Sequence, residues 1–256
     1  MKTLSITQDQ LNDNGEYIGA DDVSQFDGNI EIAADLGVVK FSAGLRATGR
    51  IRSGAGSGIK AGEGIEAGSG IKAGGGIEAG DGIEAGSGIE AGEGIEAGWG
   101  IKAGWGIEAG WGIEAGWGIK AGDGIEAGDG IKAGSGIEAG WGIKAGWGIK
   151  AGGGIEAGDG IKAGDGIKAG SGIEAGEGIK AGEGIEAGGG IKAGLSINSK
   201  TVAAGLRIFA GLYMWRIPEP QEMEIKAELR GGTIAHGNHV TEATKAVPAG
   251  DKEAAA

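Results

Sequence analysis

The chain has 256 residues, 63 of them Gly, where about 7% Gly is ordinary. It has no Cys, so disulfides and thiolate metal sites are excluded. Its net charge of −13 argues against gripping nucleic acid or an anionic membrane through surface charge.

Taken in chain order, residues 1–27 are polar and acidic and are expected to wrap over the start of the fold as a leader or cap. They hold no apolar segment of the kind a secretory signal needs, and no run of about 18 apolar residues follows anywhere. The expected location is the cytoplasm of a host cell. Next come two bulky hexads, read as Phe41-Ser-Ala-Gly-Leu45-Arg46 and Ala47-Thr-Gly-Arg-Ile51-Arg52.

From Ile59 to Ser196 the chain repeats Ile-[Lys/Glu]-Ala-Gly-x-Gly without insertion, in 22 full copies and a twenty-third that ends in Leu195-Ser196. Collagen needs Gly at every third residue and abundant Pro, and the repeat has neither. A flexible Gly-rich linker has no use for 23 Ile at one spacing. Two Gly per hexad, each costing about 1 kcal/mol against Ala, exclude a helix. A strand fits, because residues two apart share a face. Ile and Ala then point inward and the Lys or Glu between them points to water. Gly-x-Gly is expected to form the corner, with Gly supplying positive φ. The fold class is therefore all-β, a single β-solenoid of stacked hexapeptide repeats with capped ends.

Two or three hexads could close a coil, giving 12 or 18 residues per turn and a repeat rod roughly 55 or 37 Å long. Charge pairing does not separate the two. Opposite signs at the second position fall three hexads apart in 8 of 20 cases and two hexads apart in 8 of 21. After the repeats, Val202-Ala-Ala-Gly-Leu206-Arg207 and Ile208-Phe-Ala-Gly-Leu212-Tyr213 form a second bulky flank. The solenoid is expected over residues 28–217, and Pro218-Glu-Pro220 marks a boundary. Residues 218–256 are expected to hold a C-terminal cap, with one or two strands between Glu222 and His239, and a disordered tail.

The hexad resembles hexapeptide-repeat β-solenoids, which include acyltransferases with left-handed triangular prisms. It differs in placing its small inward residue two after the aliphatic one. The near-perfect Gly-Ile-[Lys/Glu]-Ala-Gly units are also similar to uncharacterised repeat proteins of bacteriophages and prophages. That resemblance implies a phage context and no particular activity.

The fifth hexad position varies freely. It holds Trp99, Trp105, Trp111 and Trp117 in one run and Trp141 and Trp147 in a second. Trp between two Gly at a corner is expected to be exposed, and clustered exposed aromatics mark contacts. These six are the candidate site for a protein partner or for self-association. On a three-sided coil Trp99 would stack over Trp117; on a two-sided coil Trp99 would stack over Trp111 and Trp105 over Trp117.

Acids occupy nine other corners, among them Asp123, Asp129, Asp159 and Asp165. One acid per corner lacks the clustered pattern of calcium-binding repeats. Eleven Lys against twelve Glu at the second position, with the nine acidic corners, leave residues 59–196 at −10. Such a rod could imitate phosphates. His236-x-x-His239 lacks a third metal ligand, and the coils hold no His of the kind hexapeptide acyltransferases use. No Ser-His-Asp set, P-loop or dinucleotide fingerprint appears, so no catalysis, cofactor or metal is expected. Ice binding needs a hydroxyl array, and the repeats contain no Thr. The expected function is a non-enzymatic, acidic binding protein. It would be a phage-encoded inhibitor of a host nucleic-acid-binding defence or processing enzyme, of the anti-CRISPR, anti-restriction or DNA-mimic type. The alternative is a structural rod, spacer or self-assembling component of a phage particle.

Overall fold

The computed structural model describes residues 1–241. It is all-β, a stack of parallel strands wound into a solenoid of about 12 turns. The 3-10 turns Gln8–Gln10 and Pro220–Met223 are the only helical elements among the described residues.

Each hexad contributes one short strand built on Ile-[Lys/Glu]-Ala, three residues long except at Ser57–Ala61 and Gly184–Ala187. The coil is three hexads long: Ile83 pairs with Ile65 on one side and Ile101 on the other, and the same step repeats along the rod. The two-hexad alternative is thereby excluded. The rod has three faces. The first stacks Leu45, Ile65, Ile83 and their successors. The second stacks Ile30, Ile51, Ile71 and Ile89. The third stacks Val39, Ile59, Ile77 and Ile95.

The inside is what the strand period demands. The repeat Ile side chains are 0–1% exposed and the Ala 0–4%, while the Lys or Glu between them is turned outward. Backbone hydrogen bonds run round the corners as well as along the strands. Gly98 N–H donates to Ala79 O at 3.0 Å, Trp117 N–H to Trp99 O at 3.0 Å, and Ile83 N–H to Gly100 O at 3.0 Å. Strand and corner alike are satisfied by the neighbouring coil, as buried backbone groups require.

The corner glycines serve a different purpose from the one expected. Among the described residues, positive-φ Gly occurs only in the flanks, at Gly15, Gly28, Gly37, Gly56, Gly211, Gly232 and Gly237. The repeat corners turn without it. What they need is clearance between coils. A Cβ on Gly116, a fourth-position glycine, would overlap the carbonyl oxygen of Gly98 in the coil beneath. A Cβ on Gly118, a sixth-position glycine, would stand 3.2 Å from Gly136 O, which is tight but not impossible.

The ladder continues outside the regular repeats and outside the 28–217 span expected for it. At the N-terminal end Thr3–Ile6 pairs with Asn29–Ile32, which pairs with the Ile51–Ser53 strand. Here the bulky hexads sit two residues out of the frame read from sequence. Val39, Leu45 and Ile51 occupy the Ile position, and Phe41 and Ala47 occupy the Ala position. Phe41 is 4% exposed and meets Tyr17 with ring centroids 5.8 Å apart. Gly54–Gly58 carries two residues more than a hexad allows. Buried serines absorb them: Ser53 Oγ donates to Ser57 O at 2.6 Å and Ser57 Oγ donates to Ala33 O at 2.8 Å.

At the other end one residue is missing. Ile179 pairs with Ile197, but Ile185 pairs with Val202 and Ile191 with Ile208, one residue short of three hexads. The long strand Ile197–Phe209 is covered by Glu224–His236 in a register with several shifts, and Asn238–Val240 adds a last rung. The expected tail, residues 246–256, lies outside the described residues.

Candidate functional site

The three edges of the rod carry different ladders. Where the third face meets the first, the fifth-position residues in coil order are Glu63, Asp81, Trp99, Trp117, Ser135, Gly153, Ser171 and Gly189. Trp99 and Trp117 lie on successive coils and stack, with ring centroids 5.8 Å apart and planes 11° from parallel. They are 60% and 64% exposed. Centroids closer than about 7 Å place them in the range of a productive aromatic pair. This is the three-sided stacking predicted from the spacing.

The other four Trp of the repeats do not stack. Trp105 and Trp141 share the edge between the first and second faces, with Asp123 on the coil between them. Trp111 and Trp147 share the edge between the second and third faces, with Asp129 between them. Asp123 and Asp129, each with a Trp on the coil before and the coil after, are half-buried, whereas Asp159 and Asp165 two coils further along are exposed. Both edges thus read Trp, Asp, Trp, Asp, Glu over the same five coils, ending at Glu177 and Glu183. The second face is framed by matched residues on either side. Neither other face has this lateral symmetry.

On the faces, charge is banded. Second-position residues of the second face run Lys72, then Glu90, Glu108 and Glu126, then Lys144, Lys162 and Lys180. The third face runs Lys60, three Glu, three Lys and Glu186. Where a band ends, the two residues pair. All eight opposite-sign neighbours on successive coils form ion pairs, including Lys102–Glu84 at 2.7 Å, Lys120–Glu138 at 2.6 Å and Lys144–Glu126. The Glu84 carboxylate, accepting a hydrogen bond, pushes the Lys102 ammonium pKa up. Side chains in these eight pairs keep 44–62% exposure, so each pair adds little to stability.

Two features bear on other chemistry. His239 Nε2 lies 2.9 Å from Ala227 O and His236 is exposed. Among the described residues no three His, Cys, Asp or Glu are grouped to hold a metal ion, and no helix is long and apolar enough to cross a membrane. Sequence reasoning passed over the seventh Trp. Trp215 is 84% exposed beside Met214 at 88% and Ile217 at 92%, in the loop that leaves the last coil. The signal was present in Met214-Trp-Arg-Ile217, a run of large apolar residues that fits no hexad.

No family model, no curated protein and no solved structure matches the chain.

Proposed function

We propose that this protein is a non-enzymatic rod that acts by binding another protein along the edge where the third and first faces meet. The observation that carries this reading is the exposed Trp99–Trp117 stack. A rigid pair of large side chains held on backbone ladders loses little entropy on binding, and Trp is enriched among the residues that dominate interface energy. Glu63 and Asp81 precede the stack on the same edge, and Ser and Gly follow it. The strip is therefore acidic, then aromatic, then bare. It suits a partner that presents basic residues beside an apolar pocket.

A basic, nucleic-acid-binding enzyme has such a surface, and the net charge of −13 favours encounter with it. In a phage setting the consequence of binding would be inhibition of a host defence or processing enzyme. The test is affinity capture from host lysate with the wild type and with Trp99→Ser/Trp117→Ser, each eluted by a salt gradient. A nucleic-acid enzyme held by the wild type, released by salt and lost from the variant is the expected result. Equal recovery of that enzyme by both proteins would overturn the assignment of the edge. Recovery of particle proteins alone would favour the structural rod.

A further inference from the structure

The second face is complementary to itself. Consider a two-fold axis lying in the plane of that face, across the rod, midway between the coils of Glu126 and Lys144. It sets a second copy antiparallel, with each edge of the face against the same edge of the copy. Coils equally distant from the axis then meet. Glu126 comes opposite Lys144, Glu108 opposite Lys162 and Glu90 opposite Lys180, and by symmetry each pair occurs twice.

The edges follow the same rule. On one, Asp123 comes opposite Trp141 and Trp105 opposite Asp159. On the other, Asp129 comes opposite Trp147 and Trp111 opposite Asp165. An indole offers one donor, its N–H, and a carboxylate offers only acceptors, so each of these eight contacts can close a hydrogen bond at the interface rim. The match covers the inner four coils on both edges and six coils down the centre. It ends where Glu93 would face Glu183 and Arg52 would face Lys226.

The parallel arrangement fails the same test. It would set each coil against its own equivalent, Glu against Glu and Lys against Lys, which is costly across an interface. The third face also carries three Glu and three Lys in mirror order, and the edge it shares with the second face would set Trp111 opposite Asp129 and Trp147 opposite Glu93. Its other edge, however, sets Trp99 opposite Gly153 and Trp117 opposite Ser135, with no acid to receive the indole N–H, so the match fails on one side.

We infer that the second face is a homodimer interface and that its occupant is a second, antiparallel copy of this chain, matched by banded charge at the centre and by Trp–Asp pairs on both edges. The inference is independent of the partner-binding edge proposed above. That edge lies opposite the second face, so a dimer carries two Trp99–Trp117 stacks on its outer sides.

The test uses the full chain in two steps. Sedimentation over a concentration series is expected to show a dimer that salt weakens. The variants Lys144→Glu/Lys162→Glu/Lys180→Glu and Glu90→Lys/Glu108→Lys/Glu126→Lys change only exposed positions. Each alone is expected to be monomeric, and an equal mixture to recover the dimer, which also shows that both fold. Orientation is read with single cysteines, since the chain has none of its own. In the antiparallel dimer residue 144 lies one coil, about 5 Å along the rod, from its copy, and residue 180 lies five coils, about 24 Å, from its copy. A short bismaleimide is expected to join Lys144→Cys and not Lys180→Cys. Equal cross-linking of both, or a wild type that stays monomeric throughout, or a mixture that fails to dimerise, would overturn the inference. Loss of partner capture by Trp99→Ser/Trp117→Ser with the dimer intact would leave the two sites separate.

Discussion

The interior of the rod and its N-terminal end obey opposite rules at the fourth hexad position. From Gly62 to Gly194 that position is always Gly, because the carbonyl of the coil beneath occupies the space of a side chain. In the first hexads the same position holds Ser42 and Thr48. Beneath them the chain is irregular, and Thr48 Oγ1 donates to Asp27 Oδ1 at 2.9 Å. The difference teaches that Gly here is a spacing device. It is required wherever a regular coil lies below, and dispensable where none does.

The largest effect that would test this contrast is Gly116→Ala in the middle of the rod. The added methyl must push two coils apart, and we expect a loss of about 3 kcal/mol, the upper part of the overpacking range, in denaturant unfolding. Gly118→Ala, two residues later, is expected to change stability by no more than about 1 kcal/mol, because the lower entropy of the unfolded Ala chain offsets its crowding. Equal losses from the two variants would break the clearance argument. Thr48→Gly sharpens the contrast from the other side. Only an exposed hydrogen bond and some chain stiffness disappear, so a loss of about 1 kcal/mol is expected, far below that of Gly116→Ala.

The smallest effect lies at the C-terminal end. Arg216 holds Glu222 through two hydrogen bonds of 2.5 and 2.6 Å, and the Glu219 N–H adds a third at 2.9 Å. These lower the Glu222 carboxyl from 4.5 to about 2. A carboxyl lowered on folding contributes stability that is complete above 4.5 and is lost as pH falls toward 2. The loop carrying Trp215 is therefore expected to loosen only in strong acid, with the rod unaffected. Titration of the Glu222 side chain by NMR checks this; a midpoint at the ordinary carboxylate value would show that Arg216 does not hold it.

Much of the fold was legible because the hexad is so regular. Ile and Ala at a spacing of two can only share a face, and 23 copies leave no room for a helix or a linker. The coil length was not legible from charge, and the structure shows why. Like charges stack in bands of up to three, so only band ends pair, and counting opposite neighbours understates the true period. Trp exposure and the Trp99–Trp117 stack followed from the corner position once three sides were allowed. The framing of the second face did not, because matched residues such as Trp105 and Trp111 are neighbours in the chain and become a frame only when the coil closes. The N-terminal hexads lie two residues from the frame their sequence suggests. Phe41 reads as the aliphatic position, whereas the Tyr17 contact draws it into the place of Ala.

The three-hexad coil has a consequence for how such a chain can lengthen. Gain or loss of one hexad leaves every local contact of the repeat unchanged but advances everything downstream by one face. A single unit inserted after Gly100 would carry Trp117 to the next edge, bring Trp111 over Trp99 in its place and rotate both charge bands out of line. Three units together restore the phase. The repeat number of this protein is thus free in strength but quantised in meaning: inheritance in whole coils keeps its surfaces, and any other step rewrites them.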